Sequence, residues 1–447
     1  MADLTRRLGA VCLENAKRLG SMLLDDQTPL ELERVEAAVG QVPLRVWEEI
    51  LAKPSTWERR VGPEAALAID EARMRQPLDF LGILRGLCQK ALTEFYFLAE
   101  GQVGLDKGMP VPFAVRPIPQ ALEGVLTPKQ ETLNRGGLLR ELPYSLFPFS
   151  AQEQVRVVLD FGHKERIDEL TWDGQEALPA IATLHPRRGG DVEVHEVDRR
   201  RRRFFDVVPR HWDEEATLDL LASVKGEAQI AVLPELSLPA PGELGGGLGK
   251  EPEKYPGLIV AGSAHTRNGA ADNPGNEIRS NESRVYLDGR CVAVARKHHP
   301  FATKEINGEV YPAELSEDLT GEQKTIMVLS GQKSRVAVVI CADLDDEQIP
   351  RLLQAAGVNV LLVPAMTRKI GPFNPPICAI AGFCQGIAVI ANTRWAEDGK
   401  PFLSMLAVPR EAPGEQSIAV DGGAAGSTAE VGIFDPNKPL ASAVRWR

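Results

Sequence analysis

An α/β fold is predicted for the larger part of this 447-residue chain, with a small helical domain before it. Two observations carry that expectation. From residue 151 onward, short β-branched apolar runs alternate with stretches of helical periodicity, a pattern that favours helix-on-sheet layers over a strand-only sandwich. Residues 1–101, by contrast, read as helical throughout, and residues 102–150 are rich in Pro and Gly with little periodicity.

In the first segment Leu4, Leu8, Val11 and Leu19 share one helical face. EAALAIDEARMR follows Pro63, a residue favoured in a first helical turn, and PLDFLGILRGLCQKALTEFYFLAE is apolar on most sides, as the centre of a small bundle would be. The string GMPVPFAVRPIPQ marks 102–150 as a connector or irregular flap.

Beyond it, VRVVLDF (155–161) and AIATLHP (180–186) have strand character. Asp213 is placed to cap a helix through TLDLLASVK that ends at Gly226, and AQIAVLP follows as a buried strand. LIVAGSAH, SRVYLDG and RCVAVARKHH continue the strands, with Asp288-Gly289 as a hairpin turn between the last two. RVAVVIC leads into the helix EQIPRLLQAAG, capped by Asp345 or Asp346, then the strand VNVLLVPA, a helical stretch and IAVIANT. The glycine-rich GGGLGKE lacks the Ser or Thr of a phosphate loop and reads as a flexible loop over a site entrance. Arg199 to Arg203 form a run whose simplest reading is a solvated face.

Composition narrows the function. Hydrophobic residues are 43% and charged residues 25%, ordinary for a globular protein, and a net charge of -11 argues against a nucleic-acid binder. No apolar run approaches the roughly 18 residues that span a bilayer, so no membrane role is expected. The start MADLTRRLGAVCLENAKRLG is mixed and amphipathic, unlike a signal peptide, which makes the cytoplasm the expected compartment. Six scattered cysteines form neither a disulfide framework nor a zinc pattern.

Three strings carry the chemistry, each ending an apolar run: AVLPEL with Glu235, VARKHHPF with Lys297 and VAVVICADLDD with Cys341. A thiol needs a base to become a nucleophile, and the oxyanion made by its attack on a carbonyl needs a fixed positive donor. Glu235 supplies the base, its pKa raised by burial, and Lys297 the donor, with the Ala342 amide beside it. A helix amino terminus after Cys341 is expected to lower the thiol pKa. Taken singly, each residue has a plainer reading, as a loop carboxylate, a strand-end lysine and a buried cysteine.

Their order and spacing resemble the Glu-Lys-Cys site of the nitrilase (carbon-nitrogen hydrolase) superfamily, in the pairs Pro234-Glu235, Lys297-His298-His299 and Cys341-Ala342-Asp343. The resemblance spans about residues 151–447 and is best between 213 and 395. It departs after the strand VNVLLVPA, where the family's Arg-Ala-x-Glu-Asn helix is replaced by CAIAGFCQGIAVIANTR, as in a divergent branch. What it implies is a four-layer αββα sandwich and hydrolysis of a small-molecule amide or carbamoyl C–N bond through a Cys341 thioester. No cofactor or metal is implied. A second glutamate, Glu305 with Glu309 as its competitor, would orient Lys297, and His299 would support the site by packing and hydrogen bonding. The family also implies a homo-oligomer. Two alternatives stay open: acyl transfer to an amine by the same site, and a silent binding protein whose helical domain docks a protein partner. The segments 238–257 and 366–376 are expected to shape the pocket.

Overall fold

The computed structural model describes residues 100–105, 110–114, 144–148, 155–171, 179–186, 192–199, 202–268, 278–306, 309–317, 319, 324–331, 334–367, 371–384, 386–393, 402–408, 417–421, 431–436 and 443–446. The helical domain expected over 1–101 lies outside them except for its last two residues. The chain divides into two units, one of residues 1–117, 129–151 and 355–357, the other of 118–128, 152–354 and 358–447. In the first lie β1 (Gln102–Leu105), β2 (Pro110–Ala114) and β3 (Tyr144–Pro148), with β2 and β3 paired antiparallel.

The second unit is built on two sheets. Its first contains β4 (Val155–Asp160), then β15 (Lys324–Ser330), β16 (Arg335–Val338), β17 (Val360–Ala365), β18 (Ile387–Asn392), β19 (Phe402–Ala407) and β20 (Ser417–Asp421), neighbours in that order. β16, β17 and β18 run parallel, and every residue of β17 and β18 is buried, as expected for central strands covered on both faces. The second sheet holds β5 (Ile181–Leu184), β8 (Ile230–Val232), β9 (Leu258–Val260), β10 (Ala264–Asn268), β11 (Ile278–Leu287), β12 (Arg290–Arg296), β21 (Val431–Phe434) and β22 (Val444–Trp446). Ile181, Val232, Val260 and Val285 from this sheet meet Val338, Leu362, Val389 and Leu406 from the other in one apolar core.

Helices cover the outer faces. α1 (Lys164–Thr171) buries Ile167 and Leu170 in the core between the sheets' edges. α2 (Glu214–Ser223) starts where expected, with Asp213 Oδ1 accepting the Ala216 N–H at 2.9 Å. It packs with α3 (Gly245–Lys250) on the outer face of the second sheet, through Leu221, Leu244 and Leu248 against Ala231, Ile259 and Tyr286. The glycine-rich segment is therefore a short helix and not a flexible loop. Its glycines allow that packing, because a Cβ at Gly247 would lie 2.3 Å from Leu218 Cδ1. α4 (Gln348–Ala355) is capped by Asp346, which accepts the Ile349 N–H at 3.1 Å, and α5 (Asn374–Cys384) packs on β18 and β19. The β11–β12 turn is formed by Asp288 and Gly289 with φ of 46° and 76°, the two left-handed residues that a two-residue hairpin demands.

A third sheet was not foreseen. β6 (Val192–Arg199) and β7 (Arg202–Pro209) pair antiparallel with Arg199 opposite Arg202 as the last pair, and β7 pairs parallel with β14 (Glu309–Glu317), itself the partner of β13 (Ala302–Ile306). Phe205, Val207 and Leu315 of this sheet pack around Leu236, beside Glu235. No helix among the described residues is long and apolar enough to cross a membrane.

Candidate active site

Glu235, Lys297 and Cys341 come together where strands of the two main sheets end. Glu235 lies three residues past β8, Lys297 directly follows β12, and Cys341 lies three residues past β16. All three are buried, at 2%, 6% and 4% exposure. Two of the turns are strained. Leu236 has φ 53° and Cys341 φ 47°, left-handed conformations that cost a side-chain-bearing residue on the order of 1–3 kcal/mol each. Such strain persists only where the surroundings fix it. Around Leu236, the Ser263 hydroxyl accepts its N–H at 3.0 Å, and the apolar cluster of the third sheet encloses its side chain.

The Cys341 turn is fixed by Asp343. Its Oδ2 accepts the Ile340 N–H at 3.2 Å, and its Oδ1 accepts the N–H groups of His298 and His299, both at 2.8 Å. The K-H-H and C-x-D strings are thereby tied to each other. Burial pushes the Asp343 carboxyl up to about 7, against the lowering effect of those three donors. Besides its backbone bond, His299 places its Nδ1 2.9 Å from Asp346 Oδ2. Ala342 is the second residue of the 3-10 turn Cys341–Asp345.

Lys297 stands between two carboxylates. Its Nζ donates to Glu235 Oε1 at 2.7 Å and to Glu317 Oε2 at 2.5 Å. Burial works against the charged ammonium, but the two carboxylates outweigh it and hold the Lys297 pKa well above the ordinary lysine value. These two bonds use two of the three ammonium protons.

The second carboxylate on Lys297 is that of Glu317. Of the expected second glutamates, Glu305 lies in β13 with its backbone opposite Val310 and Glu309 opens β14, and their side chains lie outside the described ones. The β13–β14 hairpin returns its last residue, Glu317, beside Phe301, whose C=O accepts the Glu317 N–H at 2.9 Å. Glu317 accepts from Lys297, from the Phe301 N–H at 2.7 Å, from Asn281 Nδ2 at 3.1 Å and from His265 Nε2 at 3.0 Å. The Val207 N–H donates to His265 Nδ1 at 2.8 Å, so the ring proton lies on Nε2 and points at Glu317. Burial opposes the charge on Glu317, yet Lys297 and His265 hold its pKa well below the usual carboxylate range.

Glu235 is held differently. Oε1 accepts from Lys297 and from Asn281 Nδ2 at 3.0 Å, whereas Oε2 accepts the Met366 N–H at 3.1 Å. The Cys341 thiol lies within the influence of Glu235, Lys297 and the Met366 amide. Burial and the Glu235 charge push the thiol pKa well above its ordinary value, which outweighs the lowering by Lys297 and Met366. The expected depression by a helix terminus is thus overturned. The turn after Cys341 is a single 3-10 turn, and its partners keep the resting thiol protonated.

Met366 itself is placed by its neighbour: Thr367 donates its N–H to Asn392 Oδ1 and accepts from Asn392 Nδ2, both at 2.8 Å. Glu317, His265 and Asn281 were not singled out in the sequence. One signal was present for Glu317, which shares a strand face with the buried Leu315 two residues earlier, an unusual place for a carboxylate without a partner. Among the described residues no group of three His, Cys, Asp or Glu is placed to hold a metal ion.

No family model matches the chain, and no curated protein matches it in sequence. In structure it resembles nitrilase-superfamily members. It is similar to Nit3 of Saccharomyces cerevisiae, a member of branch 10 of that superfamily, at 14% identity over 52% of this chain and 82% of that one, with a TM-score of 0.34. An amidase of the superfamily from Nesterenkonia AN1, solved as a cysteine-to-alanine mutant, is similar at 17% identity over 59% and 92%, with a TM-score of 0.35. Glutamine-dependent NAD+ synthetase from Acinetobacter baumannii is similar at 14% identity over 60% and 46%, with a TM-score of 0.36.

Proposed function

We propose that this protein is a divergent carbon-nitrogen hydrolase that cleaves an amide or carbamoyl bond of a small molecule through a thioester on Cys341. One observation carries the reading. A thiol and a charged ammonium share a buried carboxylate, Glu235, and the ammonium is locked from its other side by Glu317.

The chemistry follows from the protonation states. The resting thiol is neutral, so Glu235 takes its proton through Oε2 as sulfur attacks the amide carbon. The S–C bond forms and the carbonyl oxygen becomes an oxyanion, which the remaining Lys297 proton and the Ala342 amide receive. Collapse breaks the C–N bond, and Glu235 returns its proton to the departing nitrogen, leaving a thioester. Water then gives a proton to Glu235 and attacks the same carbon. The S–C bond breaks, the acid is released and the thiol is reprotonated. Glu317, with four donors already around it, keeps Lys297 in place and moves no proton.

The test is a panel of small aliphatic, aromatic and carbamoyl amides scored by ammonia or amine release, with intact-mass measurement of the trapped acyl adduct. The adduct is expected on Cys341, and Cys341→Ser should lose at least a thousandfold in turnover. Full turnover by that variant would reject the assignment.

A further inference from the structure

Asn281 lies on β11, fully buried, and its Nδ2 donates to Glu235 Oε1 at 3.0 Å and to Glu317 Oε1 at 3.1 Å. Its backbone C=O accepts the Lys297 N–H at 2.9 Å. One residue thus touches the base, its companion carboxylate and the main chain of the cation. The side-chain orientation is dictated by charge: turned over, the amide would aim its oxygen at two carboxylates. In the orientation adopted, Oδ1 is buried without a hydrogen-bond partner. An orphaned buried acceptor costs on the order of 1–3 kcal/mol. The two carboxylates outweigh that penalty.

We infer that Asn281 is a positioning residue that decides which oxygen of Glu235 is the base. This inference rests on the hydrolase reading of the same site. Asn281 and Lys297 together load Oε1 with a neutral donor and a cationic one, and an oxygen so loaded is a poor proton acceptor. Oε2, with only the Met366 N–H, is left as the more basic atom, and that same amide bears on the Cys341 thiol. Without Asn281, Oε1 keeps only the Lys297 donor, its claim to the proton rises against that of Oε2, and the carboxylate as a whole gains basicity.

The groups that bear on Glu235 are Lys297, Cys341 and, through Lys297 and Asn281, Glu317 with His265 behind it. All are left intact in the test, which compares Asn281→Ala and the isosteric Asn281→Asp with wild type. Two readouts are taken: the pH profile of kcat/KM on whichever amide the wild type hydrolyses, and the pH dependence of Cys341 alkylation by iodoacetamide without substrate. For Asn281→Ala, kcat should fall tenfold or more with KM within threefold. Its acid limb should move up by about half a pH unit or more, and the alkylation midpoint should move with it. Asn281→Asp can donate only while its new carboxyl is protonated, so its activity should fall on a basic limb that wild type lacks. A purely structural residue would lower activity at every pH alike and leave both profiles where they are. Profiles that superimpose on wild type in both variants would overturn the inference. If the alanine variant fails to fold, the aspartate variant decides alone. If the wild type hydrolyses no amide but the alkylation midpoint shifts, the hydrolase reading falls and the positioning role stands.

Discussion

Asp343 Oδ1 accepts the backbone N–H of His298 at 2.8 Å, joining the turn that carries Cys341 to the segment that carries Lys297. The same oxygen accepts from His299, and Oδ2 accepts from Ile340. Asp343→Asn keeps one acceptor and turns a donor towards one of these N–H groups. Turnover is expected to drop at least tenfold, because one of the three N–H groups that hold the Cys341 turn loses its acceptor.

That variant also carries a pH signature. Burial raises the Asp343 carboxyl from 3.8 to about 7 in the folded protein, so the folded state binds a proton that the unfolded chain has released. The resulting stability is present below pH 3.8 and is lost as pH rises through 7. At about 1.4 kcal/mol per pKa unit it is on the order of 4 kcal/mol. Denaturant titrations should show wild type losing its advantage over Asp343→Asn across that range. A constant difference between the two would contradict the assignment.

His298 has the opposite sign. Burial, helped by the nearby positive charge of Lys324, lowers its pKa from 6.5 to about 4, so below pH 6.5 the unfolded chain takes up a proton that the fold refuses. Its contribution is present above 6.5 and disappears as pH falls towards 4. His298→Gln should flatten that part of the stability profile by roughly 3 kcal/mol.

Replacing Glu235 by Gln removes the charge that raises the thiol pKa. Cys341 should then alkylate with a midpoint at lower pH than wild type, while amide turnover falls by about 10²- to 10⁴-fold, the usual share of a general base. A variant slower in both assays would mean that Glu235 matters for architecture alone.

Glu317→Gln places an NH2 among four donors, from Lys297, Phe301, Asn281 and His265. Leaving such a buried cation with one carboxylate fewer is expected to cost about 3–5 kcal/mol of stability. Thermal melting of the purified variant, alongside its kcat, checks this, and melting within a degree of wild type would show that Glu317 does not hold Lys297.

Much of the second unit was legible because its strands are short uniform apolar runs ended by Gly, Pro or Asp. Asp213, Asp288 and Gly289 act where local chemistry placed them. Glu235, Lys297 and Cys341 were visible because each ends such a run. Glu317 was not, since eleven residues of hairpin separate it from Glu305 and nothing local reveals which face of β14 meets Lys297. Asn281 escaped for a related reason: a polar residue within a strand shows its partners only after two other strands have been set beside it. GGGLGKE misled because glycines that allow close helix packing look, in a string, like glycines that allow motion.

Glu235 and Lys297 follow strands of one of the two main sheets, Cys341 follows a strand of the other, and Glu317 ends a strand of a third. Hydrogen bonds within a sheet cannot set the distance from Glu235 to Cys341. That distance depends on how far the two stacked layers slide, which is resisted by side-chain interdigitation and by a few bonds at the strand ends, from His298 and His299 to Asp343 and from Met366 to Glu235. Chemical competence should therefore be the most fragile property of this molecule. On gentle heating or in dilute denaturant, turnover should vanish while strand and helix content is still whole, and core substitutions far from the thiol should silence it without unfolding anything.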